Sequence, residues 1–146
     1  MKLIWLFLAF TAGAIAPIHA GFNTRLGKSI GNPIYAAIVS FAVGTVALIM
    51  YALVTNQPVS LAGIRQAPPY IWFSGVLGAF YVAALIIAFP RIGPGLTFGL
   101  VVAGQMFMAV MADHFNVLVT EQRKFNSYRF FGVALIITGV VIIRKF

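Results

Sequence analysis

The side chains able to do chemistry in this chain are few, and they work by hydrogen bonding or proton exchange. Gln105 lies inside an otherwise apolar run. Its amide must find partners within protein or water there, because lipid hydrocarbon offers none. Asp113 and His114 close the same run, and Asp113 is one of only two acids in 146 residues. About 27 Å of helix separates Asp113 from Gly95 at about 1.5 Å per residue, so the carboxylate belongs near an interface and not at the midplane. It reads either as a proton or cation site or as a solvated helix end paired with Arg65 or Arg123. His19 and Asn23 follow Pro17, where a kink is expected, and His19 is a second titratable candidate. Ser40 and Tyr81 add hydroxyls to a polar lining. Trp72 offers an aromatic face, although its place near a run's end, like that of Trp5, Tyr70 and Tyr128, also suits an interfacial belt.

Covalent and metal chemistry find no support. Cysteine is absent, which removes disulfides, thiol nucleophiles and Cys-based metal sites. Asp113-His114 lacks companions for a metal site, and no serine sits in a nucleophile-elbow pattern. Arg91-Ile92-Gly93-Pro94-Gly95 resembles a phosphate loop only loosely, since Pro94 removes a donor that such a loop needs. Neither an enzyme nor a cofactor nor a bound metal is expected.

The elements that must hold these residues are membrane spans. Hydrophobic residues make up 62% of the chain and charged residues 8%, with a mean hydropathy of +1.01. A soluble domain carries roughly 25% charged residues to keep its surface wet. Each crossing of a hydrocarbon core needs about 20 apolar residues. Five such runs follow one another: Leu3 to about Ala20, Ile34 to Val54, Tyr70 to Phe89, Gly95 to Ala112 and Tyr128 to Ile143. The first reads as a span and not as a cleaved signal, because Ile18 is a poor residue three before a cut at Ala20 and four further spans follow. Prolines open or close several runs, notably Pro33, Pro69, Pro90 and Pro94, and the connectors are short. The longest connector, around Glu121 to Ser127, has room for little more than a turn. Residues 1–146 are therefore expected to form a single all-α transmembrane domain. Small residues recur four apart at Ala36-Ser40-Gly44, Gly75-Ala79-Ala83 and Gly95-Gly99-Ala103, stripes that let helices approach closely.

The net charge of +8 comes from ten Lys and Arg against two acids. Basic excess can signal nucleic acid, but these charges sit singly or in pairs between apolar runs, as anchors facing headgroups. With five spans, Lys2, Arg65, Arg123, Lys124 and Arg129 fall on one side of the membrane. Arg25, Lys28, Arg91, Arg144 and Lys145 fall on the other. Five against five leaves the positive-inside rule no preferred orientation. Copies inserted both ways can then pair antiparallel, with the inverted symmetry that transporters use.

Several strings carry a resemblance that covers essentially the whole chain. They are Pro17-Ile18-His19-Ala20-Gly21-Phe22-Asn23, Gly75-Val76-Leu77-Gly78-Ala79-Phe80-Tyr81-Val82, Ala103-Gly104-Gln105-Met106 and Ala112-Asp113-His114-Phe115. The chain resembles the domain of unknown function 606 family, a five-helix branch of the drug/metabolite transporter superfamily related to the small multidrug resistance proteins. That resemblance implies an all-helical fold, a bacterial inner membrane and dimers of opposed orientation, or paired homologues. It departs from the family's pattern at His19, where glutamine is expected. The first span also lacks the acid that small multidrug resistance proteins use for proton exchange.

The expectation is thus a transporter-like antiparallel homodimer whose small-molecule substrate binds between subunits. Asn23, Ser40, Trp72, Tyr81 and Gln105 are the expected lining, with His19 and Asp113 as titratable partners. Two other readings stay open: a membrane partner subunit or structural protein without transport of its own, and a channel.

Overall fold

A computed structural model describes residues 2–117 and 126–145. Among the described residues six α-helices follow in order: α1 Lys2–Ile30, α2 Pro33–Val54, α3 Leu61–Gln66, α4 Phe73–Ile92, α5 Pro94–Phe115 and α6 Ser127–Lys145. A 3-10 turn, Pro69–Trp72, leads into α4. No strand occurs among the described residues. Five of the helices, the turn counted with α4, are long and apolar enough to cross a membrane. The protein is an all-α membrane protein.

Two compact units divide the chain, residues 1–91 and residues 92–146. In the first, α1 and α2 form a hairpin. Its turn is built from Gly31, whose φ of +78° suits a residue without Cβ, and from Asn32. Asn32 Oδ1 accepts from the backbone N–H of Ile34 at 2.8 Å and of Tyr35 at 3.4 Å, satisfying donors that the first turn of α2 leaves free. Pro33 occupies the first helical position, where its missing N–H costs nothing. Ala36 and Ala37 of α2 are buried with Ile86 of α4, and Leu26 and Val82 pack against them. A Cβ on Gly27 would stand 3.4 Å from both Ile86 and the Pro33 backbone, so small residues let the helices close at this point.

In the second unit α5 packs along α6. The stripe expected from sequence lies at this contact. A Cβ on Gly95 would meet Ile143 at 3.5 Å, and one on Gly99 would meet Val140 at 3.1 Å. On α2 and α4 other stripe members, Gly44 and Gly75, have no neighbour within 4 Å of that position. They leave part of the small-residue surface uncovered.

The helices depart from the apolar runs at the end of α1, at the end of α4 and in the connector before α4. Helix α1 does not end near Ala20; it continues through Pro17 to Ile30 and carries His19 and Asn23 within it. At about 1.5 Å per residue its 29 residues span about 43 Å, more than a hydrocarbon core of about 30 Å. Its final turns therefore reach headgroup level, where Arg25 and Lys28 are tolerated. Pro17 removes one backbone donor, but with no water to replace the remaining bonds the chain keeps its helix on both sides. Likewise α4 runs through Pro90 to Ile92. The connector before it holds α3, whose first turn Ser60 caps by accepting from the Gly63 N–H at 3.0 Å. That short helix had no counterpart in the apolar pattern, because its six residues are too few to show a period. The Glu121-to-Ser127 connector lies mostly outside the described residues, which resume just before α6.

Candidate functional site

Three of the expected polar residues meet in the first unit. Asn23 and His19 are four apart on α1, one turn above each other on the same face. The Asn23 amide nitrogen lies 3.0 Å from His19 Nε2, and Ser40 Oγ on α2 lies 3.1 Å from the same nitrogen. The Asn23 amide nitrogen can only donate, so this contact needs the lone-pair form of Nε2, with the ring proton on Nδ1 and the Ser40 hydroxyl able to donate to the same nitrogen. Asn23 is buried at 5% exposure, while His19 is exposed and Ser40 half-buried. The buried amide thus anchors the imidazole from behind. The ring's outer side and the Ser40 hydroxyl line a groove of about 280 Å³ with Phe41, Gly44, Thr45, Leu48 and Val82. Thr45 contributes little polarity, because its hydroxyl donates to the Phe41 carbonyl at 2.8 Å. The groove is apolar apart from the imidazole and one hydroxyl, and Gly44 leaves room for a ligand atom where a side chain would stand.

Tyr81 and Trp72 belong to the same unit but not to this cluster. Tyr81 stands on α4 at 38% exposure, and Trp72 ends the 3-10 turn at 61%. Neither makes a side-chain hydrogen bond among the described residues. Gln105 and Asp113 lie in the second unit. Gln105 is eleven positions into α5, about 16 Å along a helix of about 33 Å, which is the middle of the span. Its side chain is exposed and has no hydrogen-bond partner among the described residues. A bare amide at that depth is costly beside lipid.

Asp113 makes an ion pair, but with neither of the two partners suggested by sequence. Its Oδ2 lies 2.9 Å from a guanidinium nitrogen of Arg129, in the first turn of α6. Arg123 lies outside the described residues. Sequence reasoning missed Arg129 because the pairing depends on the register between α5 and α6 across a connector, and no local spacing encodes that. Both side chains are about one quarter exposed, 24% for Arg129 and 27% for Asp113. Partly wet ion pairs of this kind contribute roughly 0.2 to 1 kcal/mol. A double-mutant cycle with Asp113→Asn and Arg129→Gln, read by thermal unfolding in detergent, is expected to give a coupling below about 1 kcal/mol. A coupling of about 3 kcal/mol or more would instead mark a dry pair that holds α5 and α6 together.

Residues 4–142 match a family model of drug/metabolite transporter type whose description reads "Putative inner membrane exporter, YdcZ". No curated protein and no solved structure matches the chain.

Proposed function

The chain belongs to the YdcZ family, a multi-pass inner-membrane family of drug/metabolite transporter type, and from that premise we propose that it moves a small molecule through a site between two antiparallel copies. We read the small multidrug resistance proteins as its relatives in this arrangement. The observation that carries the proposal is the pair of half-sites that single chains leave open. One is the groove lined by His19 and Ser40, anchored by Asn23. The other is the mid-span amide of Gln105, which has no hydrogen-bond partner among the described residues. A partner copy or a substrate supplies what each lacks.

An apolar groove with one imidazole and one hydroxyl suits a substrate that is mostly apolar with one or two polar atoms. Tyr81 and Trp72 extend the aromatic lining once a second copy is present. His19 is the residue assigned to proton coupling, because its imidazole lines the groove and has a ring nitrogen on which a proton can be carried. Asp113 takes part only if its pair with Arg129 opens.

Reconstituted protein, a compound panel and an imposed proton gradient test this reading. Wild type is expected to accumulate at least one compound against its gradient. His19→Gln keeps a hydrogen-bonding side chain beside Asn23 and Ser40 but cannot carry the proton. It is expected to bind that compound within about threefold of wild type and to lose gradient-driven accumulation by about tenfold or more. Full accumulation by His19→Gln would remove His19 from coupling.

A further inference from the structure

We propose a second site, independent of the transport groove, for the oxyanion of a phosphate ester at the turn end of the first unit. A cavity of about 400 Å³ opens where α1 ends, α2 begins and α4 ends. Its α1 wall is the face formed by Thr24, Gly27, Lys28 and Gly31, and its α4 wall includes Ile86, Pro90 and Arg91. Two cationic side chains from different helices thus share one cavity. No acid occurs anywhere in residues 1–91. Asp113, the acid among the described residues, is held by Arg129.

Each cation has a local structural role, since basic residues in the last turn of α1 and α4 complement the negative ends of those helices. Arg91 also donates to the Ile87 carbonyl. That bond uses one of five guanidinium donors and leaves the planar fork available. Helix-end neutralisation does not require the two cations to line one cavity, and it does not explain Thr24.

Thr24 is the independent observation. Thr11, Thr45, Thr97 and Thr138 each donate their hydroxyl to the carbonyl four residues back, the usual solution for threonine in a helix. Thr24 does not. It is only 7% exposed, lines the cavity, and its hydroxyl is buried without a partner among the described residues. A buried hydroxyl left unpaired is costly. Thr24 lines the same cavity as the two cations, and a ligand oxygen reaching its hydroxyl would give that donor the partner it lacks. A hydroxyl donor, an ammonium and a guanidinium fork together match a phosphate oxyanion. Pro33, Ile86, Ile87 and Pro90 provide apolar wall at the same place. This combination suits a headgroup still attached to its acyl chains, and the cavity lies at the end of the helices where headgroups sit.

The test uses detergent-purified full-length protein and two probes, phosphatidylglycerol in mixed micelles and soluble glycerol 3-phosphate, with binding read by native mass spectrometry and thermal shift. Saturable binding of phosphatidylglycerol alone assigns a lipid headgroup, and saturable binding of glycerol 3-phosphate assigns a soluble phosphate ester. Lys28→Gln and Arg91→Gln are each expected to weaken that binding about tenfold or more. Thr24→Val, which keeps the shape and removes the hydroxyl, is expected to weaken it several-fold, while Thr24→Ser retains it. Without ligand, Thr24→Val is expected to melt no lower than wild type, which separates lost binding from lost folding. Absence of saturable binding by either probe, or binding unchanged in the Lys28, Arg91 and Thr24→Val variants, overturns the site.

Discussion

Forced into a single orientation, the protein is expected to lose transport completely. Gln57→Lys with Gln66→Lys adds two charges to the connector between α2 and α4, on one side of the membrane. Ser29→Lys with Ile30→Lys adds two to the other side, at the end of α1. All four positions are exposed. Starting from five basic residues on each side, either pair creates an imbalance large enough for the positive-inside rule to act on. If opposed copies build the site between them, each forced version alone has no partner of the correct orientation. Transport should fall to background in both. Co-expression of the two versions should restore it, because the mixture again contains both orientations. Loss without restoration would point to damage by the lysines themselves. Full transport by one forced version alone would show that parallel copies or single chains suffice.

The second large effect is expected at Gln105. Its side chain sits at mid-span, is exposed, and has no hydrogen-bond partner among the described residues. A hydrogen bond between membrane helices is worth roughly 0.6 to 2 kcal/mol, too little to decide the fold. Leucine at the same place would satisfy lipid and neighbouring helices without any unpaired polar atom. Gln105→Leu is therefore expected to preserve or raise the melting temperature while abolishing substrate binding. The two readouts must come from the same purified variant. Intact affinity and transport would remove Gln105 from the site, whatever happened to stability.

Fold class was legible in the residues because a membrane imposes it. Five apolar runs of span length, separated by short stretches with a few charges and prolines, leave few arrangements other than five helices. Helix ends were less legible. Pro17, Asn23 and Arg25 read as the end of a span in a hydropathy pattern, yet α1 carries all of them, because a helix can outlast the hydrocarbon it crosses. The polar candidates were legible one at a time. That His19 and Asn23 share a helix face follows from their spacing once α1 is known to continue. That Ser40 joins them follows from the register of the α1–α2 hairpin about Gly31 and Asn32, which no local pattern reveals. Thr24 was invisible for a different reason. Threonine in a helix ordinarily bonds to its own backbone, and only the folded structure reveals that this one does not.

The central claim, that copies of both orientations coexist and pair, is tested most directly by accessibility. The chain contains no cysteine, so single cysteines report without background. Lys28→Cys lies at the end of α1 and Ser127→Cys at the start of α6, and an odd number of spans separates these positions. Each is labelled in intact cells with a membrane-impermeant thiol reagent, then again after permeabilisation. The account predicts that both positions label in part from outside and in part only after permeabilisation. Labelling of one position wholly from outside and the other wholly from inside would contradict it.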